Sequence, residues 1–452
     1  MKKALFNNDN WIKYLCLLVP LALATGPFLP DLFISIVAII FLFKSIKEKI
    51  FKYYQTKFFI IFFLFWIYIT VLSFFSQFQL ISFIPSFFYI RFLLFVCAMI
   101  YILETQKDFI NTLFFLLFFG LSFIVLHALF SYFFNIDILL FKFEDFRIEH
   151  LYNSIACTKE EGGCGQIDFR ISGIFYGEGV LGSYLLRILP IFITTFYLSY
   201  KKFNQFIIPT TVLLVLSFFV IFFSGERSAL AVSTIYLIAF FILNKHINHN
   251  YKISILVIIV FICGFTVFTN PNVKARLVDN TIKLIFEDTE NKVNVVNLKS
   301  GVKYNVFSRG HEGHYRSAYK MFLNNKAGVG VKMFRYECKK TIYQSMDYGC
   351  TTHPHNTYLN LLSETGIVGF LTILVIFFYF LYLILGFSVK IFFFKQKINP
   401  AFLAITLCIF ANLFPFVPTG SFFNNWMSIL YFYPVGFFLY MKYYDYDKAF
   451  NT

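Results

Sequence analysis

The sequence predicts an all-α polytopic membrane protein with about twelve transmembrane helices and a large outer loop between the ninth and tenth. Three observations carry this. Of 452 residues, 58% are hydrophobic and 14% charged, against about 45–50% and about 25% in soluble domains. Apolar runs of roughly 20 residues, the length that crosses a bilayer, recur along the whole chain. The polar residues collect in two long segments, 135–177 and 270–364, so the chain divides into a membrane domain over residues 1–269, a loop over 270–364 and a second membrane domain over 365–452.

The spans are expected near 12–26, 31–46, 57–76, 83–103, 110–134, 178–200, 205–223, 227–243, 252–269, 365–388, 399–416 and 424–441. Gly26-Pro27 and Pro30 force a tight reversal between the first two. Lys2, Lys3 and the Ala22-Leu23-Ala24 tripeptide imitate a signal peptide, but an uncleaved first span is expected, since later spans supply their own insertion signals. The 68 phenylalanines are read as compositional bias. The net charge of +15 resides in loops and forms no basic face, which argues against nucleic acid and leaves membrane lipid as the surrounding partner.

Lys and Arg in the short loops set the orientation. Lys44, Lys47, Lys49, Lys52, Lys57, Lys107, Lys201, Lys202, Lys245, Lys252, Lys390, Lys395 and Lys397 share one side with both termini, while the short connections 77–82 and 417–423 carry no Lys or Arg. The termini are therefore expected in the cytoplasm and the two long loops in the periplasm of a bacterial inner membrane. Cysteine placement agrees: Cys157 and Cys164 lie in the first outer loop, Cys338 and Cys350 in the second, and none lies in an inner loop. Local disulfides, Cys157 with Cys164 and Cys338 with Cys350, are expected; free thiols and a four-cysteine metal site are the alternatives.

The candidate chemistry collects on the outer side. The large loop carries Arg309, His311, His314 and Arg316, then Gly328-Val329-Gly330, then His353-Pro354-His355-Asn356 and Glu364-Thr365-Gly366. Pro354 suits a first helical turn, which would set His355 at a helix N-terminus, where the dipole favours phosphate and a neutral imidazole able to act as a base. Ser224-Gly225-Glu226-Arg227-Ser228 opens the eighth span; Arg227 there is either an interfacial anchor, with Glu226 as a candidate partner, or a phosphate ligand. Arg170-Ile171-Ser172-Gly173, with Glu178-Gly179 and Leu181-Gly182-Ser183, leads into the sixth span, and such Gly-rich polar sequence at a span's outer end permits a broken helix around a cavity. No Asp-x-Asp pair lies in the outer loops, and the histidine spacing matches no standard zinc pattern, so neither a metal nor another cofactor is expected.

The Ser-Gly-Glu-Arg-Ser element, the Gly-Val-Gly of the large loop, and His355-Asn356 followed by Tyr358-Leu359 and Glu364-Thr365-Gly366, in that order around one large outer loop, resemble the O-antigen ligase and polymerase family of bacterial membrane glycosyltransferases. The resemblance implies a GT-C-like fold and transfer of a glycan from an undecaprenyl-diphosphate carrier to an acceptor hydroxyl, without metal. It implies that Arg227 binds diphosphate and His355 acts at the acceptor hydroxyl. Arg170, Glu178, Arg309, His311, His314, Arg316, Gly328, Gly330, His353 and Asn356 are then the candidate substrate contacts. His311 stands where the family tends to carry arginine, and Lys326-Ala327 replaces a proline before Gly-x-Gly. The leading expectation is a ligase with lipid A-core as acceptor; a polymerase joining repeat units and an O-linked protein glycosyltransferase are the alternatives within the chemistry. A transporter or flippase would instead need ionisable residues in mid-membrane, and the sequence offers few, chiefly Arg91, His127 and Arg187.

Cysteine labelling of single-cysteine variants tests the orientation: positions in 135–173 and 270–355 should react from the periplasm and positions in 44–57 only from the cytoplasm. Reaction near residue 340 from the cytoplasmic side would overturn it.

Overall fold

The computed structural model describes residues 8–134, 166–167, 170–175, 179–279, 281–282, 309–344 and 349–445. Cys157, Cys164 and Glu178 lie outside the described residues. The helices are α1 (Asn8–Ala22), α2 (Phe28–Glu48), α3 (Lys57–Ser73), α4 (Gln79–Phe87), α5 (Ile90–Thr105), α6 (Phe109–Phe134), α7 (Leu181–Phe203), α8 (Ile207–Phe223), α9 (Arg227–Leu243), α10 (His249–Thr269), α11 (Arg309–Asn324), α12 (Thr357–Phe392), α13 (Pro400–Asn412) and α14 (Asn425–Tyr443). Two-residue strands, Gln166–Ile167 and Arg170–Ile171, pair antiparallel and are a small exception to the helical architecture.

A helix underlies each apolar segment of the sequence. Among the described residues, seven helices are long and apolar enough to cross a membrane, α4 and α5 counting as one, and α3, α9 and α13 are shorter apolar helices. Helix α13 is buried over nearly all its length, packed among α7, α9, α12 and α14, as a helix apolar all round requires. Helix α10 is the opposite case: Ile259 is its one buried residue, and the rest of its apolar surface faces outward.

Prolines inside the bundle show how backbone polarity is satisfied where water is absent. Pro20 in α1 removes the amide that would bond the Cys16 carbonyl, and Tyr433 Oη of α14 donates to that oxygen at 3.1 Å. Pro434 in α14 likewise frees the Leu430 carbonyl, which receives Asn412 Nδ2 at 3.1 Å. Each kink is thus also a hydrogen-bonded junction between helices.

The two ends of the bundle differ. At one end Lys44 pairs with Asp9 at 3.0 Å and Glu48 at 2.8 Å, Lys52 with Glu104 at 2.6 Å, and Lys13 with Asp108. The starts of α2, α5 and α14 meet at the other end through Asp31, Arg91 and Asn425. Arg91, expected from the sequence among mid-membrane residues, is the second residue of α5 and sits at this end.

Helix α12 is broken at Gly366 (φ 63°, ψ −157°), so Thr357–Thr365 forms an outer arm ahead of the membrane portion. The backbone of 326–334 docks into the break. Val329 N donates to Ser363 O at 3.1 Å, Gly330 N to Glu364 O at 2.9 Å and Ile367 N to Lys326 O at 3.1 Å. Tyr68 Oη of α3 donates to Ala327 O and Thr365 O, tying both strands of the junction to the bundle. A Cβ at Gly366 would fall 2.2 Å from Lys326 O, and one at Gly328 would fall 2.5 Å from Glu364 O. Both positions also have positive φ, so glycine is required twice over.

The outer loop has its own small core. Ala318 and Met321 of α11 pack with Val329, Met333, Phe334, Cys338 and Tyr343, and Cys338 is bridged to Cys350 across a Cα separation of 5.2 Å. Closing a short loop in this way restricts the unfolded chain.

One local expectation is corrected. Pro354 does not begin a helix: α12 starts at Thr357, and Asn356 is its N-cap, accepting from Tyr358 N at 3.0 Å and Leu359 N at 3.1 Å. Asparagine is among the strongest N-cap residues because its oxygen satisfies amides that have no partner inside the helix.

Candidate active site

The segment before α12 brings four histidines together. His355 is the centre: its ring lies 4.1 Å from His353, 5.5 Å from His314 and 5.6 Å from His311, centroid to centroid. Two of these come from successive turns of α11 and two from the bent, non-helical stretch ahead of Thr357. Because that stretch is not helical, His353 and His355 do not diverge as a helical arrangement would require; their rings are neighbours. His355 adopts φ 53°, a left-handed conformation costly for a residue with a Cβ. Its carbonyl is held by Thr419 N at 2.9 Å, and Asn356 Nδ2 donates to Pro415 O at 2.8 Å. Beneath them Thr357 Oγ1 contacts Thr419 Oγ1 at 2.9 Å and Tyr431 Oη at 2.8 Å. The strained residue is thus locked between the α12 cap and the α13–α14 loop.

The cluster is electrostatically uniform. Burial lowers all four histidines, and for His355 the neighbouring His353, His311 and His314 add to it, bringing it down to about 4. His353 falls to about 4 as well, through burial and then the charge of Arg335. All four are therefore neutral at pH 7. His314 Nδ1 and His353 Nε2 are buried without a hydrogen-bond partner among the described residues, which leaves hydrogen-bonding capacity for an incoming ligand. No three metal-ligating side chains among the described residues form a metal-holding group.

Arg227 opens α9 half-buried, with no hydrogen bond or ion pair among the described residues. Glu226 is not its partner. Its carboxylate accepts Gly182 N at 2.6 Å, Ser183 N at 3.0 Å and Ser183 Oγ at 2.7 Å, capping α7 from a neighbouring helix, where the dipole favours negative charge. Gly182 allows this: a Cβ there would lie 2.5 Å from Ser224 Oγ. One turn further along α7, Arg187 is buried and donates Nη1 to Ser183 O at 2.9 Å.

The other sequence candidates separate. Arg316 forks onto Glu312 on the exposed face of α11, at 2.6 and 2.8 Å. Gly328 and Gly330 serve the docked loop, Gly330 against Ser76 and Ser82. Asn356 spends its side chain on the cap and on Pro415. Arg170 lies in the second strand and Arg309 opens α11. Sequence reasoning missed what Glu364 does: its carboxylate accepts Lys332 N at 2.9 Å and Phe334 N at 3.1 Å. The signal was a lone carboxylate just ahead of a glycine in an apolar run, a position that demands backbone partners.

The lowered histidines give a pH test. An ordinary imidazole, titrating near 6.5, loses about eightfold in neutral fraction between pH 7.0 and 5.5; His353 and His355 should lose little. Carbethoxylation of neutral imidazole by diethyl pyrocarbonate, read by peptide mass spectrometry, should modify both at nearly the same rate at the two pH values. Because the folded state binds these protons more weakly than the unfolded chain, stability is full above about pH 6.5 and declines as pH falls toward 4. An eightfold fall in modification rate would show histidines that are not desolvated.

The O-antigen ligase family model matches residues 212–374, from within α8 to within α12. No curated protein matches the chain. The matched segment contains Arg227, the four clustered histidines, the docked loop and the Glu364 clamp, and over this segment the chain is similar to the O-antigen ligase family.

Proposed function

We propose that the protein is an O-antigen ligase: a glycosyltransferase that moves a glycan from undecaprenyl diphosphate to a hydroxyl of lipid A-core, at the periplasmic face of a bacterial inner membrane, with both termini in the cytoplasm. The observation that carries this reading is His355, a neutral imidazole held in a strained backbone at the centre of a half-buried histidine cluster. In this reading His355 removes the proton from the acceptor hydroxyl, the acceptor oxygen bonds to the anomeric carbon, and the bond from that carbon to the carrier's diphosphate breaks. Arg227, free of protein partners among the described residues, receives the diphosphate as it leaves; its planar fork suits bidentate phosphate contact. Both steps use only side chains of this chain.

The low pKa is part of the mechanism. A base titrating near 4 is weak at neutral pH, but a diphosphate arriving beside it favours the protonated form and raises the pKa toward the working range. The base then gains strength when the donor is present, which disfavours wasteful activation of water in the empty site.

Replacing His355 tests the reading, and asparagine is the informative substitute, since it tolerates the left-handed backbone but cannot accept a proton. His355→Asn should lower glycan attachment by roughly 10²–10⁴-fold and leave carrier-linked polymer to accumulate. Arg227→Lys should also lose most activity, because a point charge cannot reproduce the fork. His353→Ala, now seen as a ring neighbour of His355, should show an intermediate loss. Near-normal attachment by well-expressed His355→Asn would remove it as the base; single repeats attached to core in a deletion strain would make the protein a polymerase.

A further inference from the structure

A cleft of about 480 Å³ opens at the same end of the bundle as the histidines. Its polar wall is formed by Asp31, Arg91, Asn425 and Lys332, and its apolar wall includes Ile84 and Phe88. Arg91 Nε and Nη2 both donate to Asp31 Oδ1, at 3.0 and 2.8 Å, and Asn425 Nδ2 donates to Asp31 Oδ2 at 2.8 Å. The Asp31 carboxylate is therefore saturated, and its charge is matched by Arg91. Lys332 is left over. Its amide is fixed on Glu364 and its backbone is left-handed at φ 61°, yet its ammonium has no hydrogen bond or ion pair among the described residues. Burial lowers its pKa, with Glu364 and Asp31 acting to raise it and Arg335 and Arg91 to lower it. A left-handed backbone thus presents to the cleft a cation that makes no hydrogen bond or ion pair among the described residues.

The apolar wall indicates the kind of anion. Ile84 is 49% and Phe88 56% exposed, so this wall is continuous with the apolar outer surface of α4, which faces lipid in a membrane-spanning bundle. We propose that the cleft binds the phosphate headgroup of a membrane lipid, with Lys332 as the ligand and the acyl chains along Ile84 and Phe88. The α13–α14 loop that holds His355 joins two halves of the bundle: α13 packs on α7 and α9, the side of Arg227, while α14 packs on α5 and α2, the side of the cleft. If the transfer proposed above holds, Arg227 serves the carrier lipid and the cleft serves the acceptor lipid, with His355 between; that assignment rests on the reading given there, whereas the lipid site does not.

Binding is measurable without turnover. Purified full-length protein in detergent, offered dioleoyl phosphatidic acid or phosphatidylcholine, should retain the phosphatidic acid selectively by native mass spectrometry. Lys332→Asn, which keeps a residue tolerant of positive φ, should reduce retention about tenfold, and Lys332→Arg should restore it. Equal retention by the wild type and Lys332→Asn would overturn the site. Displacement of the lipid by inorganic phosphate would overturn its assignment to a lipid. Selective retention by a His355→Asn protein that no longer transfers glycan would support the site independently of the reaction, and loss of transfer alone would leave this result unaffected.

Discussion

The carboxylate of Glu364, buried at the break in α12, holds the outer loop on the membrane bundle. It receives two loop amides, Lys332 and Phe334, while the adjoining carbonyls of Ser363 and Glu364 receive Val329 and Gly330. Burial pushes this carboxyl up to about 7 while the two amide bonds and the nearby cations pull it back, and the bonds act where the helix has been opened to expose backbone. The docking depends on Gly366 and Gly328 together, because either Cβ would collide with the opposite backbone. Helix α11, the disulfide and the histidines at 311 and 314 all hang on this joint. Together with the direct packing of α11 on α12, it brings the two halves of the histidine cluster, one from α11 and one from ahead of the α12 cap, into contact.

A common arrangement runs through the three polar motifs. In each, one residue is consumed in holding backbone amides, and a second polar group lies beside it. Glu226 caps α7, and Arg227 is left unpaired among the described residues. Asn356 caps α12, and His355 is set out ahead of the cap in a left-handed turn. Glu364 clamps the loop, and the ammonium of Lys332 lines a cleft whose carboxylate, Asp31, is already matched. The first two pairs are adjacent in sequence, whereas Glu364 and Lys332 are 32 residues apart and meet only in the fold. Such pairing explains why single substitutions within a motif should separate into losses of order and losses of chemistry.

Much of this was legible in the sequence. Apolar runs located a helix for every expected span, since length and hydropathy report directly on what a bilayer requires, and the placement of cysteines foretold the Cys338–Cys350 bridge. His311, His314, His353 and His355 stand out in a polar stretch and do assemble. Local details failed where one residue carries two signals. Pro354 suggested a helix start, but Asn356-Thr357 supplied the stronger cap. Gly328 and Gly330, candidate substrate contacts by resemblance, have positive φ and lie against the docked backbone and Ser76. The Lys332 cleft was invisible because its walls come from residues far apart in the chain, from Asp31 to Asn425, and no local pattern records that proximity.

Amide hydrogen exchange compares wild type and Glu364→Ala most directly on the central point, that the clamp at the helix break organises the outer site. The account predicts that exchange at Val329, Gly330, Lys332 and Phe334 rises at least about tenfold, equivalent to about 1.4 kcal/mol, with faster exchange spreading to the His355 segment while α5, α13 and α14 keep their protection. Unchanged exchange across 328–356 in Glu364→Ala would contradict it and would mean that the loop is held in place by something other than this joint.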